Sequence, residues 1–489
     1  MRSSLVKHLW LIQPNDHHSP VLPLDAAGGA TIHFSPSWDL LCLRAFILER
    51  TGHTCELIDV RCHAGIEEAF AVTGTSPAHD ATSIAVIHTT TANLGSVGAI
   101  ARFLKMHHPE MPIALFGPHV NAFPETIFLI QGIDYGLFGD PELKLRHLLD
   151  SLDIPHRLKL MPGLLMPGAT MKPVHWADDL RGLSFPDWQT IDWVDYRHSP
   201  SMRGANIEAR LSRGNPGTPA DIPWPSAQEP LRVWPLPGMA QTFQKCPGNG
   251  IDEIFLADPP GLWSDQRLLD WINQLKRLRN TQLWSFQIVA RILPPNIISE
   301  LAVTACARIE IIIPTLDEKR QASLGMSIRD ADLRQLIEQL RNAGVDPHII
   351  FWIEGPWRVE NEAGLIADKV RTLGRPSYAV YPFPFHIDSA LYRQVCDAGA
   401  SPPRLDEWIA WAQREDTEAP AELWSGAEGL PRAEATMKSL TRRIARDPWR
   451  AFQLLLSGGH SSLRTKIEQQ TVGTLQRVAA KLGRKKANK

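Results

Sequence analysis

The cysteines are the side chains best suited to metal or redox chemistry in this chain, and their spacing withholds it. Cys42, Cys55, Cys62, Cys246, Cys306 and Cys396 include no CxxC or CxxxC pair, so neither a zinc site nor a disulfide framework is indicated. Only Cys246 and Cys306 fall in the central segment, and two separated thiols cannot supply three ligands on one loop. His17-His18 and His107-His108 are no better as metal ligands, because adjacent side chains on a strand or helix point apart; they read as surface histidines. The patterns G-x-x-x-x-G-K-S/T, G-x-S-x-G and H-E-x-x-H are all missing. What remains is three polar, glycine-bearing clusters suited to holding a ligand: His88-Thr89-Thr90-Thr91-Ala92-Asn93, Gly117-Pro118-His119-Val120 and Gly139-Asp140-Pro141-Glu142.

The elements that must position these clusters alternate along the first part of the chain. Leu9-Trp10-Leu11-Ile12 reads as a strand ending in Gln13-Pro14-Asn15. The stretch from Leu40 to Thr51 reads as a helix closed by a left-handed cap at Gly52. Cys55 to Val60 and Ile84 to Ile87 follow as strands, residues 95 to 107 carry apolar positions at helical spacing, and Ile113 to Phe116 and Tyr135 to Phe138 complete the series. Near-continuous apolar strands separated by helices imply a parallel sheet covered on both faces. In such a doubly wound domain the ligand lies at the carboxyl ends of the strands, where each polar cluster falls.

Glu49-Arg50-Thr51-Gly52-His53, the three clusters and Phe185-Pro186-Asp187-Trp188 occur in that order. The ordering resembles the N-terminal cobalamin-binding domain of cobalamin-dependent radical S-adenosylmethionine (SAM) enzymes, whose landmarks run close to E-x-G-H, S-x-x-T-x-N, G-G-P-H, G-E-x-E and P-F-P-x-W. The resemblance covers residues 1 to about 190. It implies a corrinoid ligand and contacts from Pro14, Asn15, His88, Thr89, Thr91, Asn93, Gly117, Pro118, His119, Gly139, Asp140 and Glu142. Departures are visible: His88 stands where serine is common, Phe116 replaces the first glycine of G-G-P-H, and Asp140 replaces glutamate. A phenyl ring at 116 is expected to fill space through which a flat ligand would approach the backbone. His119 is expected in the pocket and not as an axial cobalt ligand, since the D-x-H-x-x-G motif of histidine-ligating cobalamin domains does not occur. Asp140 and Glu142, near a strand end, are expected to bond backbone amides of the following helix.

The segment from Leu211 to Pro225 resembles the S-R-G-C-P-x-x-C-x-x-C loop of radical SAM enzymes, in which three thiolates hold a four-iron cluster that chelates SAM. On that frame Asn215, Pro219 and Ile222 occupy the cysteine positions. Proline and isoleucine have no donor atom, and a neutral amide oxygen is a hard, weak ligand, so no iron–sulfur cluster is expected there. Around the loop, residues 200 to 400 alternate strand and helix. Strands are predicted at Ile207–Ser212, Glu253–Ala257, Trp284–Val289, Arg308–Ile313, His348–Ile353 and Tyr378–Tyr381, a number that suits the partial barrel of the radical SAM fold. Asp252 to Asp258 resembles the second-strand text, Arg291 a frequent arginine after the third strand and a further cofactor-side residue, and Gly344 the A-G-V lead into the fifth strand. Phe383-Pro384-Phe385 through Leu391-Tyr392 resembles the sixth-strand exit. The family's G-x-E-S is replaced by Ile313-Pro314-Thr315-Leu316-Asp317, and its glycine-rich fifth-strand exit by Ile353-Glu354-Gly355-Pro356-Trp357, which removes the usual polar contacts to SAM.

Length bounds these readings. At 489 residues the chain divides into about three units. They are expected as an α/β protein with a doubly wound, Rossmann-like domain over 1–150, a linker over 151–200, a degenerate partial (β/α)6 barrel over 201–400 and a small helical region over 401–489. Leu405–Glu415 and Met437–Leu456 read as helices there, with Trp408, Trp411, Trp424 and Trp449 as core residues. A formal charge of -2 gives no basic field for nucleic acid, and the tail from Arg484 to Lys489 reads as solvated. No window approaches the roughly 20 apolar residues of a membrane span, and the N-terminus lacks the pattern of a secretory signal, so a cytoplasmic location is expected. Three functions are compatible with these residues. The first is a corrinoid-binding accessory, sensor or partner subunit, with an active radical SAM homologue or another protein as partner. The second is a methyltransferase moving a methyl group through cobalt by two-electron chemistry, without a cluster. The third is a cofactor-free scaffold that docks through its tryptophan-rich end.

Overall fold

The computed structural model describes residues 7–15, 35–72, 83–170, 176, 179–186, 188, 191, 196, 206–219, 224, 229–246, 250–353, 359–382, 389–397 and 405–412. The first sheet contains β1 (His8–Gln13), β2 (Thr54–Asp59), β3 (Ser83–His88), β4 (Ile113–Phe116), β5 (Tyr135–Leu137) and the short β6 (Leu164–Leu165), in the order β2-β1-β3-β4-β5-β6. All pairings are parallel except β5 with β6. The connections leave β1 in one direction to β2 and in the other to β3, so the topological switch point lies between β1 and β3.

Its helices are α1 (Trp38–Arg50), α2 (Ile66–Val72), α3 (Leu94–His107), α4 (Pro118–Ala122), α5 (Pro141–Ser151) and α6 (Pro155–Leu158). The apolar strand runs divide by alternation between two cores. Trp10, Ile12, Ala85, Ile87, Ile113 and Leu115 pack with Val97, Ile100 and Leu104 of α3. Leu9, Leu11, Ile84, Val86, Ala114 and Phe116 pack with Leu40, Leu43 and Phe46 of α1 and Leu145 and Leu148 of α5. Two covered faces are the reason that these strands show no polar alternation. α1 begins at a Ser37 cap and ends as the sequence predicts, with Gly52 left-handed at φ 72°.

The second sheet is built from β7 (Asn206–Ala209), β10 (Glu253–Leu256), β11 (Leu283–Val289), β12 (Cys306–Ile313), β13 (Asp346–Ile353) and β14 (Ser377–Pro382), parallel and in chain order. Between β7 and β10 a small antiparallel hairpin, β8 (Ser212–Arg213) with β9 (Arg232–Val233), carries the loop of interest. The crossovers carry α7 (Leu236–Gln244), α8 (Asp265–Arg277), α9 (Pro295–Val303), α10 (Glu318–Gln321), α11 (Asp330–Asn342) and α12 (Glu362–Thr372), followed by α13 (Ala390–Asp397) and α14 (Leu405–Ala412). The predicted strand Ile207–Ser212 is thus two pieces, broken at Arg210-Leu211.

α14 returns to the first sheet: it packs on α3, and Ile409 joins the core there. The predicted helix Met437–Leu456 and residues Trp424 and Trp449 lie outside the described residues.

Candidate functional site

The carboxyl edge of the first sheet gathers the ends of β1, β3, β4 and β5, and with them the residues singled out from the sequence. At the end of β1, the Asn15 backbone amide donates to Ser96 Oγ at 3.0 Å. At the end of β3, His88 lies across the switch point. Its Nδ1 is 3.2 Å from Gln13 Oε1 and its ring is 5.2 Å from that of Phe116. Its Nε2 is buried 3.7 Å from Asp39 Oδ2, with no hydrogen-bond partner among the described residues. Burial, only partly opposed by the Asp39 charge, brings the imidazole down to about 4. The ring is accordingly neutral at pH 7.

The loop after β3 is fixed by its own side chains. Thr89 Oγ1 donates to Ile87 O at 3.1 Å; Asn93 Oδ1 accepts from Thr90 N at 2.9 Å, and its Nδ2 donates to His88 O at 3.2 Å. His119, 1% exposed, is held at both ring nitrogens, with Nδ1 2.9 Å from Thr91 Oγ1 and Nε2 3.1 Å from Thr126 Oγ1. The single Thr126 hydroxyl proton goes to Phe123 O at 2.8 Å, so Nε2 must carry a hydrogen and Nδ1 must accept from Thr91. Burial pushes this imidazole down to about 3. With both nitrogens hydrogen-bonded, His119 has no lone pair to offer a metal.

Phe116 departs from its expected effect. Its ring is in the core beneath α1 and α5, because position 116 falls on that face of β4. The close approach at this corner is made by Gly117, at φ 120°, where a Cβ would lie 2.8 Å from Thr89 O and 3.0 Å from the His88 ring. Pro118 opens α4. Gly139, at φ 89°, donates its amide to Asn121 Oδ1 at 2.7 Å.

The acidic pair at the β5 end does something the sequence did not suggest. Asp140 caps no amide of α5. Its Oδ1 is 3.4 Å from Arg213 Nη1 and its Oδ2 2.5 Å from Arg232 Nη1. Glu142, wholly buried, takes both Arg213 terminal nitrogens, at 3.0 and 2.6 Å. The expected bonding to helix amides is thus replaced by ion pairs, since two guanidinium groups offer charge as well as donors. Arg213 and Arg232 stand directly opposite each other on the β8–β9 hairpin. That like-charged juxtaposition would be costly without the carboxylates. Arg210 and Arg213 also reach Asp39 at the start of α1, at 3.7 and 3.9 Å, and Arg232 reaches Glu229 at 2.6 Å. Each paired arginine also has an indole face nearby, Trp234 at 5.7 Å and Trp176 at 5.1 Å. Burial alone would raise Asp140; the Arg232 hydrogen bond and the Arg213 and Arg232 charges outweigh it and hold the carboxyl below its usual range.

The loop on the hairpin is itself braced. Asp258, after β10, accepts from Leu211 N at 2.9 Å and Ser212 Oγ at 2.6 Å, and burial lifts its carboxyl to about 6. Gly214, at φ 86°, lies so near Pro230 that a Cβ would overlap its carbonyl, at 2.2 Å. Asn215 Oδ1 accepts from Gly217 N at 2.7 Å and its backbone amide donates to Glu229 O at 3.1 Å. Pro219 is exposed, and Ile222 lies outside the described residues. Among the described residues no group of three or more His, Cys, Asp or Glu could hold a metal ion. Arg291 ties down the turn after β10, through Asp265 Oδ1 at 2.6 Å and Trp263 O at 2.8 Å. Sequence reasoning missed Asp39, Arg232 and Asp258; only the last stood in a quoted motif, Asp252 to Asp258.

Comparison with solved structures shows that this fold, with two predominantly parallel sheets in succession, is similar to those of known cobalamin-dependent radical SAM enzymes. The structure is similar to the radical SAM methyltransferase TsrM from Kitasatospora setae, solved with its tryptophan substrate and a SAM analogue. The TM-score is 0.58 at 14% identity, over 77% of this chain and 73% of that one. It is also similar to the cobalamin-dependent SAM radical enzyme OxsB with aqua-cobalamin bound, at TM-score 0.58 and 12% identity, over 96% of this chain and 71% of that one. No protein-family model matches the chain, and no curated protein matches it.

Proposed function

We propose that the protein binds a corrinoid at the carboxyl edge of its first sheet and acts as an accessory, sensor or partner subunit, without reductive cleavage of SAM. The second sheet is read as a partial radical SAM barrel whose cluster loop has lost its ligands. One observation carries this: the three positions that a cluster needs are Asn215, Pro219 and Ile222, and the one side chain among them with a donor atom is already bonded to Gly217 N.

The first sheet suits a corrinoid in specific ways. The backbone turns sharply at Gly117 and Gly139, the Phe116 ring is withdrawn into the core, and His88 leaves a buried Nε2 without a partner among the described residues, available to a peripheral amide. Pro14, Asn15, Thr89, Gly117, Pro118 and Gly139 would hold the ligand. His119, with both nitrogens committed, would support the loop from behind. A bound corrinoid supplies a cobalt centre able to carry a methyl group. The chain's own part is to shape the edge and keep His88 and His119 uncharged. With Phe116 in the core, its ring leaves the ligand edge open and does not favour a cofactor-free scaffold.

Visible spectroscopy of the purified chain with hydroxocobalamin tests this directly. The corrinoid bands should shift and co-elute with protein on gel filtration. Gly117→Ala, whose methyl would press on Thr89 O, should weaken retention and cost about 1–3 kcal/mol in stability. Free passage of the corrinoid through the column with folded wild-type protein would refute the proposal.

A further inference from the structure

We propose that the face of the second sheet that carries Glu310 is a binding site for a small organic cation, an alkylammonium group, centred on that residue. Strand register defines the face. Alternation places Ile309, Ile311 and Ile313 on one side of β12, and Arg308 and Glu310 on the other. The neighbours in register on that side are Gln287 on β11 and His348 on β13. Glu208, Glu253, Arg308 and Asp346 act electrostatically on Glu310, and Tyr381 feels Glu310 in turn, so the group converges from five strands.

Among the described residues Arg308 is the cation that acts on Glu310; it is held by Asp346, with Nε at 3.0 Å and Nη2 at 2.8 Å from Oδ2, while its Nη1 is buried without a hydrogen-bond partner there. Glu310 is 9% exposed and has no hydrogen-bond or salt-bridge partner among the described residues. Independently, Ser285, on the same face by alternation with Trp284 and Phe286, is fully buried, with a hydroxyl that has no partner among the described residues. Burying a polar group unsatisfied is costly, and a lone carboxylate beside an idle hydroxyl is what an ammonium donor would satisfy. Among the described residues the carboxylates do not gather into a group able to hold a metal ion, which favours an organic cation over a divalent metal. Phe255 and Trp352 occupy the same face by alternation, and aromatic walls favour alkyl chains and ammonium groups together.

The site lies on the other sheet from the proposed corrinoid site and does not depend on it. Calorimetric titration of the full chain, without and with hydroxocobalamin, uses 1,4-diaminobutane and n-butylammonium as probes, with 1-butanol and butyrate as neutral and anionic controls. Saturable binding of the amines alone is expected. Glu310→Gln should weaken it about tenfold or more, the worth of a charge-assisted hydrogen bond, and Ser285→Ala should weaken it less. Because burial lifts the Glu310 carboxyl to about 7, against the opposing charge of Arg308 and with help from Glu208, Glu253 and Asp346, amine binding near pH 7 should release protons. His348 and Tyr381 also face this carboxyl, from β13 and β14. The release should be visible as a dependence of the heat on buffer ionisation enthalpy, and should vanish in Glu310→Gln. No saturable heat with either amine, equal binding of butanol or butyrate, or full affinity in folded Glu310→Gln would each overturn the proposal. The wild-type comparison of amine with butanol decides the matter if the variant does not fold.

Discussion

A buried imidazole kept neutral makes stability depend on pH, and His88 and His119 are two such groups among the described residues. His88 titrates at about 4 and His119 at about 3, each lowered first by burial, against about 6.5 in the unfolded chain. Below pH 6.5 the unfolded state therefore binds protons that the folded state refuses. Stability should fall as pH drops from about 6.5 to about 4, with a slope approaching two protons. Urea midpoints across that range should show it, and His119→Gln should remove about one proton of slope. Arg213 is the other residue with a large expected effect. Its truncation leaves Glu142 charged and wholly buried, a loss of about 3–5 kcal/mol in urea unfolding. Arg213→Lys should recover only part, since an ammonium cannot make the two-pronged contact.

The hairpin of β8 and β9 is the element on which the two halves of the site turn. Its four residues make few ladder bonds, so its geometry rests on Asp258 below, on Gly214 against Pro230, and on the carboxylates that separate Arg213 from Arg232. Gly214→Ala should open it. Loss of protection at the Asn215 amide in hydrogen exchange, with the β10–β13 amides unchanged, is the expected signature. This hairpin was not legible in the sequence, because two-residue strands separated by a long proline-rich loop leave no period to read. The parallel strands of the first sheet were legible, since Leu9–Ile12 and Ile84–Ile87 are covered on both faces and show it as unbroken apolar runs. Asp140 and Glu142 misled for a definite reason. Acidic residues at a helix start obey a local rule, and here arginines distant in sequence outweigh it. The alternation of Arg308-Ile309-Glu310-Ile311 is legible in the sequence as a strand with one polar face, but the partners that face gathers come from other strands and leave no local signal.

At the scale of the whole molecule, one face of the second sheet's entry loop is locked to the carboxyl edge of the first by buried ion pairs. Ser35 Oγ also takes the Glu208 amide of β7, at 3.1 Å. The two sheets should therefore unfold together in the wild type and separately once the pairs are broken, as two calorimetric transitions in Arg213→Ala. On the proposed reading, the loop so held is the counterpart of the cluster loop, and its three frame positions, Asn215, Pro219 and Ile222, carry no thiolate. The measurement closest to the central claim is anaerobic reconstitution with iron, sulfide and hydroxocobalamin, followed by metal analysis of the desalted protein. The account predicts about one cobalt per chain and no stoichiometric iron; roughly four irons per chain, the content of a four-iron cluster, would contradict it.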